Sequence, residues 1–141
     1  MSFVRIYVHA VWSTKDRYPY LKGKIRTDLI NHIKDYAQSK GIYIDHLNGG
    51  NKHMHALISM SAEQNVATVL NLLKGESSHW INKQNFIGNK FSWQDEYFAV
   101  SIGESQIDKL RKYIRDQELH HMKKTFQQEY DEFIKNYRFD S

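Results

Sequence analysis

Residues 51–60, NKHMHALISM, contain the stretch that decides the fold, His53-Met54-His55 followed by mostly apolar residues. In a β-strand, successive side chains point to opposite faces, so His53 and His55 project from one face and Met54 from the other. The alternate apolar residues that share the Met54 face would pack into a core. The pattern therefore predicts a strand that holds two imidazoles side by side on a rigid backbone. Neutral imidazole is a common ligand of divalent metal ions, but two ligands do not complete a site.

The segments around this strand predict an α/β fold of the α+β kind, with a four-stranded antiparallel sheet and helices packed on it, ferredoxin- or RRM-like. We expect a single domain over residues 1–141, since no repeat, low-complexity segment or linker divides the chain. Before the His-Met-His strand, the sequence predicts a strand over 3–12, a helix from Ile25 to Ala37 that stops at Gly41, a strand over 42–47 and a hairpin turn over 48–51. After it, a capping box of Ser61 and Gln64 opens a helix, which is followed by a loop over 82–96 and a strand over 97–102. Two further helices are predicted, one opened by Ser105 and Asp108 and the last opened by Thr125 and Gln128.

The composition excludes several kinds of chemistry. The chain has no Cys, which excludes disulfides, thiolate zinc sites and a cysteine nucleophile. Its net charge of +4 is a basic bias that permits nucleic-acid binding without demonstrating it. No apolar run approaches the roughly 18 residues needed to span a bilayer. The first residues have neither the basic flank nor the cleavage site of a signal peptide, so we expect a cytoplasmic protein without a membrane partner.

A second pair of chemically capable residues lies on the helix predicted after the fourth strand. Tyr113 and Gln117 are four residues apart, so they share one helix face. Gln117 offers an amide oxygen, and Tyr113 offers a phenol that can act as a nucleophile. A phenol with a pKa near 10 is only about one part in a thousand ionised at pH 7, so it needs activation. Beside a metal held by His53, His55 and Gln117, the tyrosine could attack a polarised phosphodiester.

The combination of these motifs resembles the single-tyrosine HUH transposases of the insertion-sequence 200/605 type. Their pattern is His-hydrophobic-His followed by Tyr-Ile-x-x-Gln, which corresponds here to 53–55 and to Tyr113-Ile114-Arg115-Asp116-Gln117. Residues 92–101, SWQDEYFAVS, and the segment 120–130 are also similar to the C-terminal half of that family. The resemblance covers essentially the whole chain.

This resemblance implies a metal-dependent endonuclease and strand transferase that acts on single-stranded DNA. Tyr113 would form a 5′-phosphotyrosine intermediate, and His53, His55 and Gln117 would bind Mg or Mn. Family members are homodimers that recognise hairpin-forming element ends, which makes hairpin DNA and a second copy the expected partners. Two alternatives stay open: a relaxase- or replication-initiator-like HUH nuclease, and a non-cleaving module, such as a domesticated transposase, that binds hairpin DNA or RNA.

Further residues are candidates for DNA contact, each with a simpler structural interpretation. Basic side chains next to tyrosines could contact phosphates while the rings stack on unpaired bases, or they could form a solvated loop. Trp93 could stack on a base or close the core. The DNA-binding candidates are Lys15, Arg17, Tyr18, Tyr20, Lys74 and Trp93. Of the other histidines, His9 and His46 are expected to be structural, His79 to lie on the surface, and His120 and His121 to act locally near a helix end.

Overall fold

Four strands, β1 (Ile6–Ser13), β2 (Tyr43–Gly49), β3 (His53–Met60) and β4 (Phe98–Ile102), form one sheet in the order β2-β3-β1-β4, and every neighbouring pair is antiparallel. The helices are α1 (Lys24–Ser39), α2 (Val66–Gln84) and α3 (Glu104–Arg115). The computed structural model describes residues 2–85, 87–117, 128, 131, 132 and 135. This arrangement confirms the predicted ferredoxin-like antiparallel sheet.

The two faces of the sheet pack against different helices. On one face, Met54, Ala56 and Ile58 of β3 join the larger core with apolar residues of α1 and α2. On the other face, Leu57 packs with Ile107, Leu110 and Ile114 of α3 in a separate cluster. The alternation predicted for β3 is therefore confirmed, and α3 covers the face that carries His53 and His55.

Helices α2 and α3 begin at different residues from those predicted. Asn65 caps α2, because its side chain accepts a hydrogen bond from the backbone N–H of Thr68 at 2.9 Å. The Gln64 side chain does accept from the Ser61 N–H at 2.9 Å, as in a capping box, but this bond forms in the turn before the helix. In α3 the extended Gly103 is the N-cap, so the prediction of Ser105 at that position is wrong.

Other element boundaries also differ from the prediction. Strand β1 begins at Ile6, which pairs with Met60 at the end of β3, and Phe3 before it is 84% exposed. Gly49 belongs to β2 and not to the turn. The helix predicted from Thr125 lies almost wholly outside the described residues. Within the part of the chain that is described, no helix has the length and apolar character needed to cross a membrane.

At Gly49, β2 approaches β3 closely. A Cβ at this position would lie 2.1 Å from the backbone oxygen of His53 and 2.9 Å from Met54 Sδ. Because a backbone atom cannot move aside cheaply, we expect Gly49→Ala to lower the free energy of unfolding in urea by about 3 kcal/mol. Gly75 in α2 has open space around it, so Gly75→Ala should raise stability by about 1 kcal/mol. Equal effects of the two substitutions would contradict this close approach.

Candidate active site

His53 and His55 are fully buried between the sheet and α3, with no solvent-exposed surface. Their rings are 4.9 Å apart between centroids and lie at 79° to one another. In the β1–β3 register, His53 is opposite Ser13 and His55 is opposite Val11, both on the central strand of the sheet. The position of both imidazoles is therefore fixed by two hydrogen-bonded strands.

Helix α3 brings the predicted third ligand and the nucleophile to these histidines. Gln117 is fully buried, and its Oε1 lies 3.3 Å from His53 Nε2. Its amide group donates to the backbone oxygen of Tyr113 at 3.3 Å, which orients Oε1 toward the histidine. The Tyr113 ring meets the His55 ring edge-on, with centroids 5.7 Å apart. The four residues singled out from the sequence therefore form one cluster, although the two histidines are far along the chain from Tyr113 and Gln117.

Polar contacts fasten α3 to the edge strand β2. Arg111 donates to both carboxylate oxygens of Asp45, at 2.9 and 2.7 Å. Hydrogen bonding from the Arg111 guanidinium lowers the pKa of Asp45 below its usual range. Closer to the site, the Asn48 side chain donates to the backbone oxygen of Arg115 at 3.2 Å. These contacts, together with the apolar face of α3, place Tyr113 and Gln117 over the histidines.

The donor set fits a divalent metal ion. Two imidazoles and an amide oxygen suit an ion that accepts both nitrogen and oxygen. Two ligands of one ion, each bonded at about 2.1 Å, lie roughly 3.0–3.4 Å apart, and His53 Nε2 and Gln117 Oε1 are separated by 3.3 Å. Among the described residues, no three His, Cys, Asp or Glu side chains converge on a possible ion. The Gln117 amide oxygen lies at a distance from His53 that suits the third ligand predicted from the sequence.

His9 joins this cluster, a role that the sequence analysis missed. It is fully buried on β1, and its Nε2 is 3.0 Å from His55 Nδ1. Burial lowers the pKa of His9 from 6.5 to about 4, so the ring is neutral at pH 7. The alternation of β1 could have placed His9 on this face, but only the register between strands shows that it meets His55.

An open cleft of about 340 Å³ is lined in part by Val11 and Ser13, the strand partners of His55 and His53. Arg17 and Glu96 also line it. Asp16 also lines it, and both Asp16 and Arg17 have a left-handed backbone, with φ of 57° and 55°.

Residues 2–117 match the family described as IS200-like transposases. The chain belongs to this family. The transposase is 24% identical over 115 residues to the ISDra2 transposase TnpA of Deinococcus radiodurans, covering 77% of this chain and 81% of that relative.

Two solved structures share the fold of the transposase. One is a Deinococcus radiodurans R1 protein assigned as a transposase, with a TM-score of 0.67 at 19% identity, covering 82% of this chain and 93% of that one. The other is a REP-associated tyrosine transposase bound to a REP hairpin, with a TM-score of 0.65 at 14% identity, covering 86% and 72%. At these identities the likeness shows the fold.

The structure separates the DNA-binding candidates of the transposase into two groups. Lys15, Arg17 and Tyr18 are exposed before α1, and the Tyr18 ring contacts Tyr20 with centroids 4.7 Å apart. These three residues and the half-buried Tyr20 remain candidates for contact with DNA.

Lys74 and Trp93 instead have structural roles. Lys74 is only 8% exposed, and its ammonium donates to the backbone oxygens of Gln94 and Asp95 at 2.8 and 2.9 Å. Trp93 is buried, donates to Ser77 Oγ at 2.9 Å and packs edge-on against Trp12. Both side chains therefore stabilise the segment between α2 and β4, and we do not include them in a DNA-contact surface.

The remaining histidines lie away from this cluster or outside the described residues. His46 Nδ1 contacts Asp45 Oδ1 at 2.5 Å, in keeping with a structural role. His79 is exposed on α2, as predicted. His120 and His121 fall outside the residues that the structure describes.

The ion pair between Asp45 and Arg111 gives a test of how α3 is held. Asp45→Asn removes the charge from a carboxylate that is only 7% exposed, so we expect the free energy of unfolding to fall by about 1–3 kcal/mol. Adding Arg111→Gln to that variant should cost little more, because the shared bond is already lost. Asp108 also contacts Arg111 but is 95% exposed, so Asp108→Asn is the matched control and should leave stability unchanged. Additive effects of the Asp45 and Arg111 substitutions in urea unfolding would contradict a shared role.

Burial of His9 predicts a dependence of stability on pH. Between pH 6.5 and about 4 the folded protein leaves His9 neutral while the unfolded chain protonates it. Stability is therefore present above pH 6.5 and is lost as the pH falls through this window, by at most about 3 kcal/mol. Urea unfolding of His9→Gln at several pH values should give a flatter curve than the native protein. His79→Gln, which changes an exposed histidine, should keep the native curve, and an unflattened curve for His9→Gln would contradict the assignment.

Proposed function

We propose that this transposase is a metal-dependent endonuclease and strand transferase that acts on single-stranded DNA, with Tyr113 as its nucleophile. The observation that carries the proposal is the meeting of Tyr113 and Gln117 with the paired imidazoles of His53 and His55. A protein that only binds DNA has no need for a buried set of nitrogen and oxygen ligands beside a phenol. Membership in the IS200-like transposase family supports the same chemistry.

His53, His55 and Gln117 would hold one divalent ion, Mg or Mn. When bound, the ion supplies Lewis-acid stabilisation of the charge that develops on the scissile phosphate, worth several kcal/mol. The two imidazoles favour Mn over Mg, because Mg prefers oxygen ligands. The protein residues orient this ligand set through the β1–β3 register, through the Gln117 amide bond to Tyr113 and through the burial that excludes water.

Tyr113 would attack the phosphorus of the scissile phosphodiester. The bond from its phenolic oxygen to phosphorus forms while the bond from phosphorus to the 3′-oxygen breaks, so the DNA strand is left with a free 3′-OH and a 5′-phosphotyrosine link. The phenol loses one proton and the leaving 3′-oxygen gains one, which balances the step. Because one phosphodiester replaces another of similar energy, a 3′-OH can later attack the link and rejoin strands without a nucleotide cofactor.

The DNA partner that fits these features has unpaired bases next to a hairpin. Exposed basic and aromatic residues before α1 suit contact with phosphates and unstacked bases. A fold relative is bound to a REP hairpin, which supports a hairpin ligand for this chain. The homodimer implied by the family resemblance is part of the proposal, as is a location in the cytoplasm.

The test is formation of a covalent protein–DNA adduct. Purified protein is mixed with single-stranded oligonucleotides from the flanks of its own gene, with Mn²⁺ or Mg²⁺, and run on a denaturing protein gel. A label at the 3′ end of the oligonucleotide should migrate with the protein, and a label at the 5′ end should not. We expect Tyr113→Phe to reduce the adduct by at least about two orders of magnitude, because the attacking oxygen is gone.

Tyr43→Phe is the matched control, since Tyr43 is 62% exposed on β2, away from the cluster, and should keep native activity. DNA affinity of Tyr113→Phe, measured by a shift in native gels, should stay within a few-fold of the native value. Hairpin binding without any adduct under either metal would overturn the enzymatic proposal and favour a non-cleaving binding module. An adduct that persists in Tyr113→Phe would exclude Tyr113 as the nucleophile.

A further inference from the structure

The ring of His9 is held between two strands in contact with the candidate ligand His55. On one side its Nε2 lies 3.0 Å from His55 Nδ1, and on the other side it meets the Phe98 ring of β4 edge-on, with centroids 6.3 Å apart. Both His9 and His55 are fully buried. His9 therefore contacts His55 from β1, whereas Gln117 contacts His53.

The contact between His9 and His55 has the geometry of a hydrogen bond in the plane of both rings. The rings are inclined by only 20° and their centroids are 5.2 Å apart. That separation is close to the distance between the two nitrogens plus the radii of two five-membered rings, so the nitrogens face each other along the line of the centroids. This is the direction of an imidazole N–H bond and of the lone pair that accepts it.

The contact decides which nitrogen of His55 is available to a metal. Since Nδ1 of His55 is engaged by His9, only Nε2 can act as the ligand. A neutral imidazole that ligates through Nε2 carries its proton on Nδ1, and that proton can be donated to Nε2 of His9. Metal-ligating histidines commonly donate their second N–H to a carboxylate, carbonyl or water, which fixes tautomer and ring orientation. Here a second imidazole would accept that bond.

We propose that His9 is a positioning residue that accepts a hydrogen bond from His55 Nδ1–H and so presents His55 Nε2 as a metal ligand. The inference rests on the metal site of the proposed function. In it, His9, which is not itself a ligand, orients the ligand His55. It also explains why an imidazole, and not an apolar residue, stands at this point of β1. The neighbouring strand β4 offers Phe98 there, which keeps the His9 ring in place without competing for the bond.

The first test reads the histidine tautomers of the native protein and uses a substitution only to assign the signals. Nitrogen-15 NMR of the metal-free protein labelled at its histidines distinguishes the two tautomers of each ring, and loss of signals in His55→Gln identifies His55. We expect His55 to be protonated at Nδ1 and His9 to have an unprotonated Nε2. A His55 ring protonated at Nε2 in the native protein would overturn the inference.

The second test measures binding of Mn²⁺ alone by titration calorimetry, without DNA. His9→Phe keeps a ring at this position but removes the acceptor, and we expect Mn²⁺ affinity to fall by about 10- to 100-fold. His9→Gln places an amide near the position of Nε2 and should restore most of that affinity. His79→Gln, on the exposed face of α2, should bind as the native protein does. Thermal unfolding of each metal-free variant separates weaker binding from loss of fold.

The outcomes distinguish this inference from the proposed function. Native affinity in His9→Phe, with binding abolished by His53→Ala, would overturn the role of His9 and leave the metal site standing. Absence of Mn²⁺ binding by the native protein would contradict the metal part of the proposed function, and the tautomer of His55 would then decide the inference by itself. Loss of affinity in His9→Phe with recovery in His9→Gln would support both.

Discussion

The register of β3 against β1 is the constraint on which the site depends. It sets His53 opposite Ser13 and His55 opposite Val11, while Met54 faces the core under α1 and α2. Because side chains alternate with a period of two, a slip by one residue would turn both imidazoles into that apolar core. The cost of burying polar rings without partners makes such a slip unfavourable. The same register therefore specifies the fold and assembles the ligands.

Helix α3 converts a polar sheet face into an enclosed site. Its apolar residues pack on Leu57, and its charged contact with Asp45 ties it to the edge strand. This docking positions Tyr113 and Gln117, since Tyr113 lies in the last turn of α3 and Gln117 lies two residues beyond its end. Stability of the fold and geometry of the site are thus coupled, and a substitution at the edge strand would act on the chemistry through the position of the helix.

Local patterns predicted most of the architecture, and the failures have a common cause. The hydrophobic alternation of β3 and the apolar spacing of the helices follow from backbone geometry, so they survive in the folded state. The start of α2 was misplaced because Asn65 competes with Ser61 as a cap, and only the path of the chain decides between them. Lys74 was considered for phosphate contact, yet burial against two backbone carbonyls gives it a structural role that spacing along the chain does not reveal.

Local periodicity in the sequence predicts which residues share a strand face or a helix face, and the motifs indicate an IS200-like transposase. Two histidines separated by one residue, and a tyrosine and a glutamine separated by one helical turn, are local facts of periodicity. That these two faces meet and that His9 contacts His55 is visible only in the folded structure. These contacts between distant residues depend on strand register and helix docking. Both are set by the summed free energy of contacts between distant segments, and not by any single stretch of the chain.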